Sequence, residues 1–313
     1  MQGIVVISHG TVDSLEQLPA FLRNIRRGHE PPPELVAEIA RRYEAIGGRS
    51  PLNDITREVA RKLEARLGVP VRTCGRLFAP YPASALGELA SLGVKSVVVL
   101  PLAQHSAKIY GDSVREAAAQ LGGSIDVAAA GNWGREPALL EAFAGAIDSA
   151  LEPLTGEQLG ATTLVMSAHS LPVAASLAGD PYESEVLASA SAVEARLARR
   201  PGRVVTCFQS QGQSQRSGPA GRPLEWLGPD LRRILVLARE AGSSRVLVAP
   251  VGFLADHVEI LYDLDIEARA WAEELGLAFS RTASLNASDA LIEALAGVAA
   301  PLLSPRSVEG ALP

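Results

Sequence analysis

Apolar residues along this chain come in short unbroken runs rather than alternating with polar ones. The runs are Ile4–Ser8, Val71–Phe78, Val97–Leu102, Ile125–Ala130, Thr163–Ser167, Val204–Phe208, Val246–Val251 and Ala278–Arg281. A half-exposed strand alternates, whereas a strand of a parallel sheet covered on both faces reads as a continuous apolar stretch. Between the runs lie stretches of helical character, including Pro33–Ile46, Asp54–Leu67, Glu136–Leu151 and Glu183–Arg199. Asn53 and Asp112 read as helix caps, each ahead of a helical run. Strand and helix alternating in this way predict an α/β fold of doubly wound parallel sheets.

The pattern repeats. Gly93 is followed by an apolar run and then Pro101; Gly242 is followed by an apolar run and then Pro250, at a constant offset of 149 residues. Pro80 and Pro229 share that offset, each opening the preceding helix. Thr73-Cys74 matches Thr206-Cys207 at an offset of 133, so the second copy carries about 16 more residues there, within the polar, Gly-rich loop Gln209–Trp226. The repeat predicts two similar Rossmann-like halves, 1–155 and 156–313, joined near Thr155–Gly160 around one central cleft. In such sheets, ligands bind beyond the C-terminal ends of the strands.

Composition narrows the choices. With 313 residues, 47% of them hydrophobic, the chain has material for a large core, and a charged share of 20% argues against disorder. A net charge of −6 and only 4% aromatic residues disfavour nucleic acid as a partner. Two cysteines, Cys74 and Cys207, are too few for a disulfide framework or a cysteine-ligated iron–sulfur cluster. The first residues read as a buried strand, not a leader, and no apolar run reaches the length of a membrane span. The expectation is a soluble, cytoplasmic monomer.

Candidate chemistry gathers at the strand ends. Four of the five histidines, His9, His105, His169 and His257, lie at or just after them. A neutral imidazole there can accept a proton or bind a metal near neutral pH. In LADHVEILYDLDIEA, Asp256, Glu259, Asp263 and Glu267 are spaced 3, 4 and 4, which on an α-helix forms a single acidic stripe. With His257 among them, such carboxylates suit a divalent iron, zinc or nickel ion; a solvated acidic face is the alternative. Arg23, Arg26 and Arg27 cluster before Gly28, as a helix C-terminus or as a carboxylate-binding lip. No GxSxG, P-loop or first-turn GxGxxG is present, which leaves hydrolase and nucleotide chemistry unsupported.

The segments FLRNIRRG, RRYEAIGGRSPLNDIT, SAHSLP, GDPY, EWLGPDL and VAPVGFLADHVEILYDLDIEA, in this order over nearly the whole chain, resemble the ferrochelatase family, closest to its compact Gram-positive-like members. The resemblance implies a lyase of haem biosynthesis that inserts ferrous iron into a free-base porphyrin, coproporphyrin III or protoporphyrin IX, with no tightly bound cofactor. It implies His169 as the active-site histidine and Glu259 as its carboxylate partner. Asp263 and Glu267 would lie on the family's π-helix, opened by Asp256 and His257; His169, Glu259, Asp256, Asp263 and Glu267 would bind metal, the outer acids also Mg²⁺. Tyr43, Ser50, Pro51 and Leu52 would line the porphyrin cleft, with His105 also in contact, and Arg26 and Arg27 would meet propionates. Compact members usually end the first strand with a tyrosine that can face the metal; here His9 stands in that place. The residues leave open a chelatase for another metal or tetrapyrrole, or a haem- or metal-binding protein without turnover.

Overall fold

The computed structural model describes residues 1–210 and 224–303. The Gly-rich stretch of the Gln209–Trp226 loop therefore falls largely outside the described residues. The first half runs β1 (Gln2–Ser8), α1 (Leu18–Ile25), α2 (Pro33–Ala45), α3 (Leu52–Leu67), β2 (Val71–Gly75), α4 (Pro82–Ser91), β3 (Ser96–Pro101), α5 (Ala107–Gln120), β4 (Asp126–Ala129) and α6 (Pro137–Leu151). A short helix, α7 (Gly156–Gly160), capped by Thr155, leads into the second. There β5 (Thr162–His169), α8 (Val173–Leu177), α9 (Tyr182–Glu194), β6 (Arg203–Gln209), α10 (Leu231–Glu240) and β7 (Arg245–Ala249) follow. Next come α11 (Val258–Leu261), a π-helix (Asp263–Ala268), α12 (Arg269–Glu274), β8 (Ala278–Arg281) and α13 (Asp289–Ala299).

Each half contains a four-stranded, all-parallel sheet, ordered β2-β1-β3-β4 and β6-β5-β7-β8. The 149-residue offset is visible in three dimensions, because α4 and α10 begin and end at equivalent positions. The proline ahead of each is cis, Pro80 and Pro229, and each carbonyl accepts from the end of the adjoining strand, from Gly75 and Phe208 respectively. The central strands are buried on both faces, from Ile4 to Ile7 and from Leu164 to Met166, which is why they read as unbroken apolar runs.

Three local expectations are corrected. Asn53 is not a cap: α3 opens at Leu52, two residues before the expected Asp54, and the Asn53 amide donates to the Thr11 carbonyl and to Asp13. Asp112 lies within α5, whose N-terminal boundary is Ser106, and it pairs with Lys108 and Arg115 on the surface. The run Val71–Phe78 is a strand only to Gly75, after which the backbone folds back against the end of β1. Arg76 and Leu77 donate there to the carbonyls of Ser8 and His9.

The largest core joins the two sheets. Helices α6 and α13 are apolar over most of their circumference, each leaving one narrow exposed stripe, at Glu141 and Gly145 and at Asp289, Glu293 and Gly297. They pack on each other between Val98 and Leu100 of one sheet and Leu164, Met166 and Leu247 of the other. Although α13 follows the second sheet in sequence, it packs on α3 and β3 of the first half. Lys62–Asp289 and Arg66–Glu293 ion pairs edge that contact at 2.8 and 2.7 Å.

The close return of the chain after β2 fixes the cleft floor beside His9. A Cβ on Gly75 would meet the Phe78 carbonyl oxygen at 2.3 Å and the Gly10 Cα at 2.9 Å. We expect Gly75→Ala to cost about 2 kcal/mol or more, as overpacking against backbone does. A urea midpoint unchanged from wild type would show that the return is not tightly held.

Candidate active site

The C-terminal ends of β1, β2, β3, β5 and β7 open onto one cleft of about 500 Å³, roofed by α1 and α2. Its apolar surface includes Phe21, Leu22 and Ile25 of α1, Leu35 and Ile39 of α2, and Leu52, which opens α3. Polar groups converge within it from both halves.

On the second-half wall stands Glu259, in the first turn of α11. Its Oε2 lies 3.2 Å from Nδ1 of His169, the last residue of β5, and 3.5 Å from Nε2 of His257. The tautomer of His257 is set from behind: its Nδ1–H donates to the Ala255 carbonyl at 3.0 Å, which turns Nε2 toward Glu259. The His169 backbone is fixed by the Tyr182 hydroxyl, which donates to its carbonyl at 2.8 Å. Burial opposes charge on all three groups, but their mutual attraction prevails. Burial would lower the His169 and His257 pKa values, yet the Glu259 carboxylate raises both above the ordinary imidazole value. Burial would raise the Glu259 pKa, yet the two imidazoles hold it well below the usual carboxylate range.

The first-half wall is different. His9 follows the last residue of β1 and opens into the cleft, with Nδ1 3.4 Å from the Tyr110 hydroxyl. Enclosure by the walls lowers its pKa toward about 4, and His257, His169 and Arg76 push the same way against the pull of Glu259. Water in the open cleft moderates that fall, and the ring is neutral at physiological pH. The Arg76 guanidinium lies over the Tyr110 ring at 5.7 Å. The cleft therefore pairs a neutral imidazole on one wall with an imidazole–carboxylate cluster on the other.

At the mouth, Asp263 begins the π-helix. Arg42 of α2 reaches it at 3.0 Å, and the Ser210 hydroxyl donates to its other oxygen. Burial, with Glu259 nearby, pushes the Asp263 pKa up to about 6 against the opposing pull of Ser210 and Arg42.

The single acidic stripe expected from α-helical spacing does not form. Asp256 precedes the helix and turns away from the cleft, where Ser284 and Asn286 donate to it and Arg281 pairs with it at 3.4 Å. From Asp263 the winding widens, so that the Glu267 N–H donates to Tyr262, five residues back, at 3.0 Å. Glu267 lies one turn out from Asp263 and does not line the cleft. Among the described residues, no three His, Cys, Asp or Glu side chains form a ready-made metal cage.

Other expected site residues divide in the same way. Tyr43 and Leu52 line the cleft, and the Tyr43 hydroxyl is 2.7 Å from that of Thr11. Ser50 and Pro51 are one layer behind: buried Ser50 accepts from the Leu52 N–H and, with Pro51, builds the turn into α3. His105 borders the cleft, but its Nε2–H is committed to Ser189, which in turn donates to the Gly134 carbonyl. Arg26 and Arg27 occupy the turn after α1, beside the lining residue Ile25 rather than in the lining itself. No ion pair engages either of them among the described residues. Arg42, Arg76, Tyr110 and Tyr182 were not singled out by sequence reasoning. Arg42 is adjacent to Tyr43 in a segment that was, but its partner is 221 residues away.

Two parallel α/β sheets facing a common cleft define the chelatase-type fold. SirB from Bacillus subtilis with Fe³⁺ superposes with a TM-score of 0.57 at 13% identity, covering 94% of this chain and 92% of that one. CbiX, the terminal enzyme for biosynthesis of siroheme in denitrifying bacteria, superposes with a TM-score of 0.51 at 14% identity, covering 96% and 100%. Within that fold the chain belongs to the ferrochelatase family, whose profile matches residues 1–301. The ferrochelatase of Acidobacterium capsulatum is 34% identical over 95% of this chain and 93% of that protein. Coproporphyrin III ferrochelatase of Geobacillus kaustophilus is 33% identical over 95% and 94%. The chain is thus a lyase that inserts iron into a porphyrin in haem biosynthesis. No helix among the described residues is long and apolar enough to cross a membrane.

Buried, neutral His105 makes a stability prediction. Burial lowers its pKa from 6.5 to about 4, so the unfolded chain binds the proton first as pH falls. The stability this contributes is complete above pH 6.5 and is lost as pH drops toward 4, by roughly 3 kcal/mol. We expect urea-unfolding stability to fall less steeply over that window in His105→Gln than in wild type; parallel profiles would place the acid sensitivity elsewhere.

Proposed function

We propose that the chain metallates coproporphyrin III with ferrous iron in the cleft between lobes 1–155 and 156–313, with His169 as proton acceptor and Glu259 as its partner. The observation that carries this reading is the Glu259 carboxylate held between His169 and His257 inside a largely apolar cleft. A protein that only bound a tetrapyrrole would need ligands or apolar walls, but no proton-transfer couple.

Metallation exchanges two pyrrole protons for one Fe²⁺, so net charge is conserved if both protons leave. His169, in its neutral form, takes a pyrrole proton at one imidazole nitrogen. Raising its pKa strengthens it as a base near neutral pH. Glu259 stabilises the resulting imidazolium and accepts the proton for release outward. His257, its second nitrogen anchored to the Ala255 carbonyl, favours the ionised form of Glu259, so the carboxylate holds the proton only in passing and gives it up outward. Across the cleft, neutral His9 presents a lone pair to the other face of the ring without adding positive charge where Fe²⁺ must arrive. Asp263 and Glu267 form the outer end of a cation path, with oxygen donors that would also suit Mg²⁺. Asp256 has no part in it, since its oxygens are taken by Ser284, Asn286 and Arg281.

Arg26 and Arg27 support the choice of porphyrin. Among the described residues they have no carboxylate partner, and they stand beside Ile25 at the cleft edge, where they would meet propionates. Coproporphyrin offers more of these than protoporphyrin. The relative from Geobacillus kaustophilus bears the name of the same substrate.

We expect His169→Ala to lower insertion by on the order of 10²–10⁴-fold, as loss of a general base does, while retaining porphyrin binding. Glu259→Gln, which keeps size but removes charge, should fall nearly as far. Anaerobic absorbance assays with Fe²⁺ and each porphyrin measure both; His169→Ala retaining more than about a tenth of the wild-type rate would remove the assignment.

The double variant Arg26→Ala/Arg27→Ala should raise KM for coproporphyrin III more than for protoporphyrin IX and leave kcat nearly unchanged. Propionate contacts act alike on ground and transition states. Equal KM values for wild type and variant with both substrates would make the arginines a helix terminus and nothing more.

A further inference from the structure

Among the described residues, two guanidinium groups pair with the carboxylates between Asp256 and Glu267, and they differ in origin. Arg281 comes from β8, in the same half, and ties Asp265 at 2.8 Å and Asp256 at 3.4 Å. Arg42 comes from α2, in the opposite half. Its Nη1 meets Asp263 Oδ1 at 3.0 Å, its Nη2 meets Glu38 at 3.0 Å, and its plane lies 5.0 Å from the Tyr262 ring centre. The Arg42 and Asp263 side chains are only 15% and 10% exposed, so water screens their attraction weakly. Glu267 adds its charge to the field at Arg42.

The packing of α2 is one-sided. Of its 13 residues only Tyr43 is fully buried, and with Ile39 and Ala40 it packs on Val12, Leu18 and Phe21 at the foot of α1. The helix hangs between two turns in the left-handed region, Arg27 and Gly28 before it and Gly47 and Gly48 after it. A Cβ on any of those three glycines would meet nothing within 4 Å, so both turns have free space around them. The Arg42–Asp263 pair is therefore a polar tie from a helix whose apolar face is packed on the first half to the π-helix of the second.

We propose that Arg42 is a resident counter-cation: it occupies Asp263 until a divalent ion displaces it, and its release frees α2 from the π-helix. The inference rests on reading Asp263 as part of a cation path. A guanidinium and a metal ion compete for the same carboxylate charge. By linkage, whatever the tie costs the cation, the cation costs the tie. Arg42 thus keeps the outer acids from retaining ions that must move inward, and it makes widening of the mouth conditional on a cation having arrived. Arg281 has no such role, because displacing it would disturb only its own half.

The test uses Mn²⁺, which suits oxygen donors, and full-length protein without porphyrin, so its outcome does not depend on insertion. Mn²⁺ affinity is measured by electron paramagnetic resonance for wild type, Arg42→Gln and Arg42→Lys, alongside amide hydrogen exchange over residues 33–45. Arg42→Gln should bind Mn²⁺ about tenfold more tightly than wild type. Arg42→Lys should fall between them, since one ammonium cannot fork to both Glu38 and Asp263; it also decides the matter if the glutamine variant fails to fold. Saturating Mn²⁺ should speed exchange over 33–45 in wild type, whereas in Arg42→Gln exchange should already be fast and unresponsive to Mn²⁺. Unchanged or weaker Mn²⁺ binding in the variants overturns the proposal, as does wild-type exchange indifferent to Mn²⁺. If Asp263→Asn binds Mn²⁺ as wild type does, the cation-path reading itself fails, a result separate from any failure at Arg42.

Discussion

A carboxylate enclosed by apolar walls gives up its charge unless cations or donors surround it. Glu259 is in that position, and the architecture around it supplies the compensation from two separate strand ends. His169 arrives at the end of β5 and His257 on the loop that follows its neighbour β7, so the sheet brings the two segments side by side and the loop into α11 carries the second imidazole in. The Ala255 carbonyl then chooses which nitrogen of His257 turns inward, and the Tyr182 hydroxyl steadies the backbone of His169. Loosening any one of these supports would leave a desolvated charge, so the cleft tolerates little variation in the sheet beneath it.

The two walls of the cleft rise from two parallel sheets of like strand order, yet they carry opposite electrostatics. At the end of β1 the imidazole is His9, accompanied by Tyr110 and Arg76; at the equivalent end of β5 it is His169, accompanied by Glu259. The first arrangement favours a neutral ring and the second a charged pair. A planar ligand between them would have one face toward a lone pair and the other toward a proton-accepting couple. The duplicated sheet supplies the symmetry of the frame, and a few residues beyond the strand ends break it.

Much of this frame is legible in the chain. The central strands declare themselves because both their faces are covered, and the 149-residue offset recurs because equivalent helices sit at equivalent ends of equivalent sheets. His9, His169, Glu259 and Asp263 could be picked out because each falls just after a strand or within the acidic segment that follows one. What escaped depends on contacts distant in sequence. Asp256 carries the same charge as its neighbours, and only Ser284, Asn286 and Arg281 draw it elsewhere. Regular α-helical spacing suggests one acidic stripe, whereas the π-turn after Tyr262 sets a different register. Ser50 and Pro51 adjoin Leu52 but point into the turn behind it. Arg42 gives no local hint of Asp263.

The position of α13 bears on how the molecule comes into being. The core beneath the first sheet is completed by the last helix described, packed on α3 and β3. During synthesis, the first half would emerge with that apolar surface uncovered, and no later stretch of the nascent chain could seal it until α13 had left the ribosome. Full closure of the N-terminal core thus waits for α13, and the surface it completes is also the one from which the walls of the cleft take their bearing.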